Sequence, residues 1–289
     1  MKPLSFLSTD KCVESLTFNV LGLQVFRYFF AKFLYNLKLL INYDLEFLNF
    51  RTKGYQLNEN FLEEEHFLKV KEEFNKLFSD KKYSRVNCEY KYEHSIDIHN
   101  NIKKSDYPSL YSLLENKKII NFFQKNDLKK NTKIFARAQR INVVDDSLED
   151  SVQEYHSDSF HDTFKSFLYI SDVKTEDGPL HVIQNSHALS LTRAFKEWKN
   201  SIIFGLKMKK LNWAEKDALS SLKDGSEGDR KKELDTKAIK FSVKKNSIVN
   251  VNTHCMHRRG DAKKSSIRDT IVFFTRENPF KIFFPQKNR

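Results

Sequence analysis

The strongest constraint on the fold of this chain is a change of character at residue 134. Before it, apolar residues recur at spacings of three and four. After it, short apolar runs are set off by polar turns. Residues 134–144 (IFARAQRINVV), 164–173, 180–183, 238–243, 247–252 and 270–275 read as strands. Upstream, Leu23, Phe26, Phe30, Phe33, Leu34, Leu37 and Ile41 share a helical face, so residues 16–48 read as one long helix. Residues 63–78, rich in i,i+4 charge pairs, and 109–125 read as two more. Residues 54–62 (GYQLNENFL) look like a strand entering a turn, while 80–108 are polar and without a clear period. Residues 190–235 interrupt the strands as a highly charged helical segment with a flexible tip at 224–228. Helices first and strands after, with no internal repeat and no clean linker, predict one α+β domain over 54–289. A helical extension over 1–53 precedes it, and the segment 190–235 is an insertion.

Composition narrows the functional classes. A chain of 289 residues with 39% apolar content and 26 phenylalanines can bury a core without covalent staples. The net charge of +12 is spread through nearly every segment. With no zinc-finger spacing, RNP-like motif or concentrated basic arm, nucleic acid is not the expected partner. Cys12, Cys88 and Cys255 lie far apart and form no CxxC pair, which fits a reducing cytoplasm rather than a disulfide framework. Asp10, Lys11 and Glu14 interrupt any signal-peptide core near the start. Arg27, Lys32 and Lys38 make the segment 16–48 amphipathic. A helix covering a sheet is favoured there over one lying on a membrane surface, although peripheral membrane contact remains the rival reading.

The residues that carry chemistry begin with His156-Ser157-Asp158. At strand spacing, i and i+2 project to one side, so an imidazole and a carboxylate can meet one metal ion. Two histidines and a carboxylate on one face, with open positions beside them, are the ligand set of non-haem Fe(II) oxygenases. The second histidine has two candidates in residues 252–261 (NTHCMHRRGD), His254 and His257, which lie three apart and would face opposite sides of a strand. Arg268 follows 11 residues after His257 and opens the last strong strand, where a buried guanidinium can grip a carboxylate.

Together with residues 167–173 (FLYISDV), 176–180 (EDGPL) and 185–187 (NSH), these pieces resemble the phytanoyl-CoA dioxygenase family of Fe(II)/2-oxoglutarate oxygenases. The likeness is good over 134–280 and loose from residue 54. It implies a double-stranded β-helix, a jelly-roll or cupin-like barrel, with the N-terminal helices packed outside and the charged helical insertion between barrel strands. It also implies that His156, Asp158 and His257 hold Fe(II), and that Arg268 clamps the distal carboxylate of 2-oxoglutarate. Gln139 matches a position that helps hold this cosubstrate, and Thr270 adds a hydroxyl beside the arginine. Dioxygen is the co-reactant, with succinate and CO2 as products. An intact Asp158 favours hydroxylation over halogenation. Lys165 and Tyr169, on one strand face, and His161, in the loop before that strand, are candidates for the substrate pocket. The expected substrate is a small or acyl-type molecule, and Arg258, Arg259 and Arg276 would suit an anionic one. One departure is the pair Gln184-Asn185, where the family shows Pro-Gly. Asparagine can hold the same left-handed turn. The alternatives are a catalytically altered barrel that only binds, or a metalloenzyme that does not use 2-oxoglutarate.

Overall fold

A computed structural model describes residues 9, 12–41, 45–83, 93–143, 153–210, 222–223 and 229–282. The tip expected at 224–228 and Cys88 lie outside these residues.

The helix expected over 16–48 is divided. α1 (Leu16–Val20) ends at Gly22, whose φ of +88° turns the chain into α2 (Leu23–Ile41), and α3 (Leu45–Lys53) follows. β1 (Tyr55–Asn58) then starts from Gly54, where a Cβ would strike Cys255 Sγ. α4 (Glu64–Ser79) opens with Glu64 and Glu65 at the positive end of its dipole and buries Phe67, Val70, Phe74 and Leu77. The stretch without a clear period contains β2 (Glu93–Asp97) and α5 (Ile98–Asn101). The helix expected over 109–125 is two: α6 (Pro108–Ser112) and α7 (Lys117–Asp127), the second capped by the Asn116 side chain.

The strand-rich half follows the expected order: β3 (Phe135–Asn142), β4 (His156–Ser157), β5 (Phe164–Tyr169) and β6 (Leu180–Ile183). α8 (Leu191–Lys207), β7 (Leu222–Lys223) and α9 (Asp229–Lys237) occupy the charged insertion. β8 (Ala238–Phe241), β9 (Ile248–Asn252), β10 (His257–Arg259) and β11 (Ile267–Phe274) complete the strands. All pairings are antiparallel, in a six-stranded sheet ordered β1-β9-β5-β11-β3-β2 and a five-stranded sheet ordered β7-β4-β10-β6-β8. Among the described residues the two sheets remain separate, so the expected barrel is realised as a pair of sheets sharing a core.

Period-two alternation gives the large sheet two jobs. Ala136, Ala138, Phe164, Leu168, Ile271 and Phe273 face outward and pack with Phe67, Phe74 and Phe123 of the helices. Tyr169, Val249 and Val251 face the small sheet and meet Leu180, Val182 and Phe241. Burying each such side chain contributes about 1.5–3 kcal/mol.

α2 does not lie mainly on a sheet. It packs beside α8 and reaches the large sheet through Tyr35 against Phe164. Two of its cations, Arg27 and Lys32, turn inward. Lys32 Nζ lies 2.7 Å from Asp162 Oδ2, and the Arg27 guanidinium sits 4.2 Å over the Phe160 ring. Among the described residues, no helix is long and apolar enough to cross a membrane.

Candidate metal centre

β4 and β10 are neighbours in the small sheet, and their register sets His156 directly opposite His257. The two rings therefore lie 4.5 Å apart between centroids. Asp158 leaves the end of β4 with its backbone N–H donating to Thr253 O at 3.0 Å, which holds its carboxylate beside both rings. Its Oδ1 is 3.7 Å from His156 Nε2 and 3.7 Å from His257 Nε2. The three donor atoms lie within 4.8 Å of one another, and this is the one such cluster of His, Cys, Asp and Glu among the described residues.

The remaining ring nitrogens test whether these donors suit a metal. His156 Nδ1 meets Glu154 O at 2.8 Å, and His257 Nδ1 meets Cys255 O at 2.9 Å. A carbonyl can only accept, so each Nδ1 carries its proton and each Nε2 presents a lone pair. Lys165 Nζ binds Asp158 Oδ2 at 2.8 Å, which leaves Oδ1 toward the histidines. Burial works against the Asp158 charge. Lys165, His257 and His156 outweigh that burial and hold the carboxyl well below the usual carboxylate range. Burial, reinforced by His156, pushes His257 down to about 4. Near neutrality the site thus offers one carboxylate and a neutral His257, the protonation states a cation requires. One ion contacting all three donors at about 2 Å fits this arrangement.

The large sheet supplies the facing wall of the same cavity, whose volume is about 370 Å³. Lys165, Phe167 and Tyr169 of β5 line it, with Arg268, Thr270 and Val272 of β11 and Arg137 and Gln139 of β3. Arg268 is 8% exposed and donates from Nη1 to Gly178 O. Burial pushes the Tyr169 hydroxyl up to about 12, so it stays a neutral donor. Gln139 donates to Glu93, which also receives Ser95 Oγ at 2.6 Å and pairs with Arg259 Nη2 at 2.7 Å.

Two expectations need correction or a choice. His161 does not line this cavity. The chain turns away after Asp158 and carries His161 beneath α2, into a separate cavity with Ala31, Tyr35 and Asp162. His254 likewise lies apart from the centre, fully buried under Tyr28 and 3.5 Å from Asp162 Oδ1. Of the two competing histidines, His257 is therefore the one brought to Asp158. Glu93 and Arg137 did not stand out in the sequence as pocket residues, whereas Arg259 was among the arginines expected to suit an anionic substrate, and it lines this cavity with Arg258 and Arg276. Period-two spacing flags the arginines, because Arg259 is two residues from His257 and Arg137 two from Gln139. Glu93 sits in the stretch without a period, where no local signal marks it.

His187 and His181 have structural surroundings. His187 Nε2 meets Arg51 O at 2.6 Å, and His181 Nδ1 meets Asp235 Oδ1 at 3.2 Å. Burial lowers the pKa of both and, with Arg258 adding to it, takes His181 to about 4; His254 is lowered well below its usual value by burial, with Arg193 and Lys32 adding to it. A histidine depressed by folding stabilises the protein above its unfolded pKa near 6.5 and loses that contribution as pH falls through the folded value. Melting temperature is therefore expected to fall steadily from about pH 6.5 toward about pH 4. Scanning calorimetry across that window checks this, with His181→Gln expected to flatten the slope. A melting temperature that is constant across the window contradicts it.

No protein-family model matches this sequence, and no curated protein matches it. Among solved structures the chain is similar to the epimerase SnoN in complex with Fe3+, alpha ketoglutarate and nogalamycin RO. The TM-score is 0.50 at 11% identity, over 78% of this chain and 80% of that one. The carbocyclase SnoK from nogalamycin biosynthesis gives 0.49 at 12% identity, over 82% and 86% of the two chains. HygX from Streptomyces hygroscopicus, with nickel, 2-oxoglutarate and hygromycin B bound, gives 0.46 at 13% identity, over 80% and 86%. At these identities the likeness to SnoN is one of fold.

Proposed function

We propose that this chain is a non-haem Fe(II)- and 2-oxoglutarate-dependent oxygenase that hydroxylates an aliphatic C–H bond of a small or acyl-type molecule. The observation that carries this reading is the meeting of His156 Nε2, Asp158 Oδ1 and His257 Nε2, with both imidazoles fixed through Nδ1 by backbone carbonyls. When bound at such a face, ferrous iron with 2-oxoglutarate and dioxygen would supply the oxidising power for C–H chemistry, with succinate and CO2 as co-products.

The protein's part is to hold and orient. His156, Asp158 and His257 would hold the ion, and Lys165 restrains the carboxylate that faces it. Arg268, buried on the opposite wall, supplies the charge for the far carboxylate of 2-oxoglutarate, and Thr270 lies two residues along the same inward face. Gln139, anchored by Glu93, borders that position. Phe167, Leu180 and Val272 supply apolar wall and limit water. Arg137 and Arg276, both near the Phe274 ring, give the cavity a basic edge that favours a substrate with an anionic group.

The direct test is anaerobic titration of the protein with Fe(II) and 2-oxoglutarate, followed by oxygen and a succinate assay. A metal-to-ligand charge-transfer band and iron-dependent succinate are expected. Iron binding with no such band would remove 2-oxoglutarate from the reading, and no iron binding would reduce the protein to a binder. Arg268→Ala is expected to weaken 2-oxoglutarate by roughly 30-fold or more while leaving iron affinity nearly unchanged. Equal 2-oxoglutarate affinity in variant and parent would take Arg268 out of the site.

A further inference from the structure

Exposed large apolar side chains are concentrated in one part of the molecule. Phe26, Phe33, Leu37 and Leu40 point outward from α2, and Leu40 is 82% exposed. Leu191 and Phe195 point outward from α8 at 82% and 60% exposure, and Leu21, after α1, is 77% exposed. Scattered apolar residues are ordinary on a protein surface, but this density is not.

The helices concerned form one body. Leu16 of α1 packs so closely on Gly205 of α8 that a Cβ there would lie 3.0 Å from Leu16 Cα. Trp198 Nε1 donates to Val20 O at 3.2 Å, and its ring lies 5.8 Å from that of Phe195. An indole bridging two apolar elements near the surface suits a boundary between water and lipid.

Charge on this face has one sign. Residues 15–41 contain no Asp or Glu. The single acid of α8, Glu197, is 2% exposed and turned inward, where it meets Gln24 and Arg193. The Arg27 and Lys32 side chains of α2 are also internal. What faces water on α8 beside the apolar residues is Thr192, Lys199 and Lys207.

We propose that the outer face of α1, α2 and α8 docks on an anionic lipid bilayer. Apolar side chains enter the headgroup boundary, and the lysines meet lipid phosphates. A second copy of the chain is a poorer occupant, because α1, α2 and α8 carry exposed lysines and no exposed carboxylate, the exposed Glu14 lying just before α1, so two such faces repel each other. No described helix is suited to cross the bilayer, so the protein would lie on it.

The test is flotation of the whole protein with vesicles of phosphatidylcholine alone and with vesicles of equal phosphatidylcholine and phosphatidylglycerol. Binding to the mixed vesicles is expected, with little to phosphatidylcholine alone and partial release at high salt. Leu191→Ser with Phe195→Ser should lower the partition coefficient about 10-fold or more. Lys199→Glu with Lys207→Glu should lower it by a similar factor on mixed vesicles only. These side chains are on the surface, so melting temperature should hold in both variants. Failure to float with mixed vesicles overturns the proposal, as does equal binding by parent and both variants. Light scattering that shows a dimer, abolished by the serine variant without any vesicle binding, would assign the face to self-association instead and also overturn it. None of these outcomes depends on the assignment of the metal centre.

Discussion

His257→Ala is expected to lower ferrous-iron affinity by more than about 100-fold, since removing even an outer partner of a metal ligand costs roughly 10–100-fold. His257 is paired across the sheet with His156 and directs Nε2 at Asp158, so no neighbouring side chain can take its place. His254→Ala should keep iron, because that ring is buried beside Asp162 and Tyr28. Anaerobic iron titration of both variants checks the pair. If His254→Ala loses iron and His257→Ala keeps it, the ligand assignment is wrong.

Asp162→Ala is expected to destabilise the fold by about 3–5 kcal/mol, because it strands a buried cation. Asp162 accepts Lys32 Nζ at 2.8 and 2.7 Å and Asn252 Nδ2 at 2.6 Å, with side-chain exposures of 3% for the acid and 11% for the lysine. This pair ties α2 to the loop that precedes β5. The joint replacement Lys32→Met with Asp162→Leu should recover most of the loss, since it removes both charges. By contrast, breaking the exposed pair Lys69–Glu65 should leave the midpoint nearly unchanged, because water already screens both charges. Urea unfolding midpoints measure all three. An Asp162→Ala midpoint equal to that of the parent would show that the pair does not fasten α2.

Much of this architecture was legible in local spacing. Strand periodicity located β3, β5, β6, β9 and β11, and helical periodicity located α4 and α8. Division of the first long helix was less visible, since Gly22, whose positive φ makes the turn, is one residue among many apolar ones. β2 was not visible, because its alternation is broken by His94 and Ser95 and it is held at the sheet edge by pairing with β3.

Which chemical groups share an element, and at what interval, was already written in the order of residues. His156 and Asp158 two apart, Arg268 and Thr270 two apart, and Lys165 and Tyr169 four apart are consequences of covalent geometry and strand pleat. Tertiary structure decided which side of each strand is inward, because that depends on what packs against both sheet faces. It brought His257, and not His254, beside Asp158, put Lys165 on Asp158 and Glu93 beside Gln139, and sent His161 to another cavity. It also turned Arg27 and Lys32 of α2 inward, because Phe160 and the buried carboxylate of Asp162 await them there, and left Phe26, Phe33, Leu37 and Leu40 of that helix facing out.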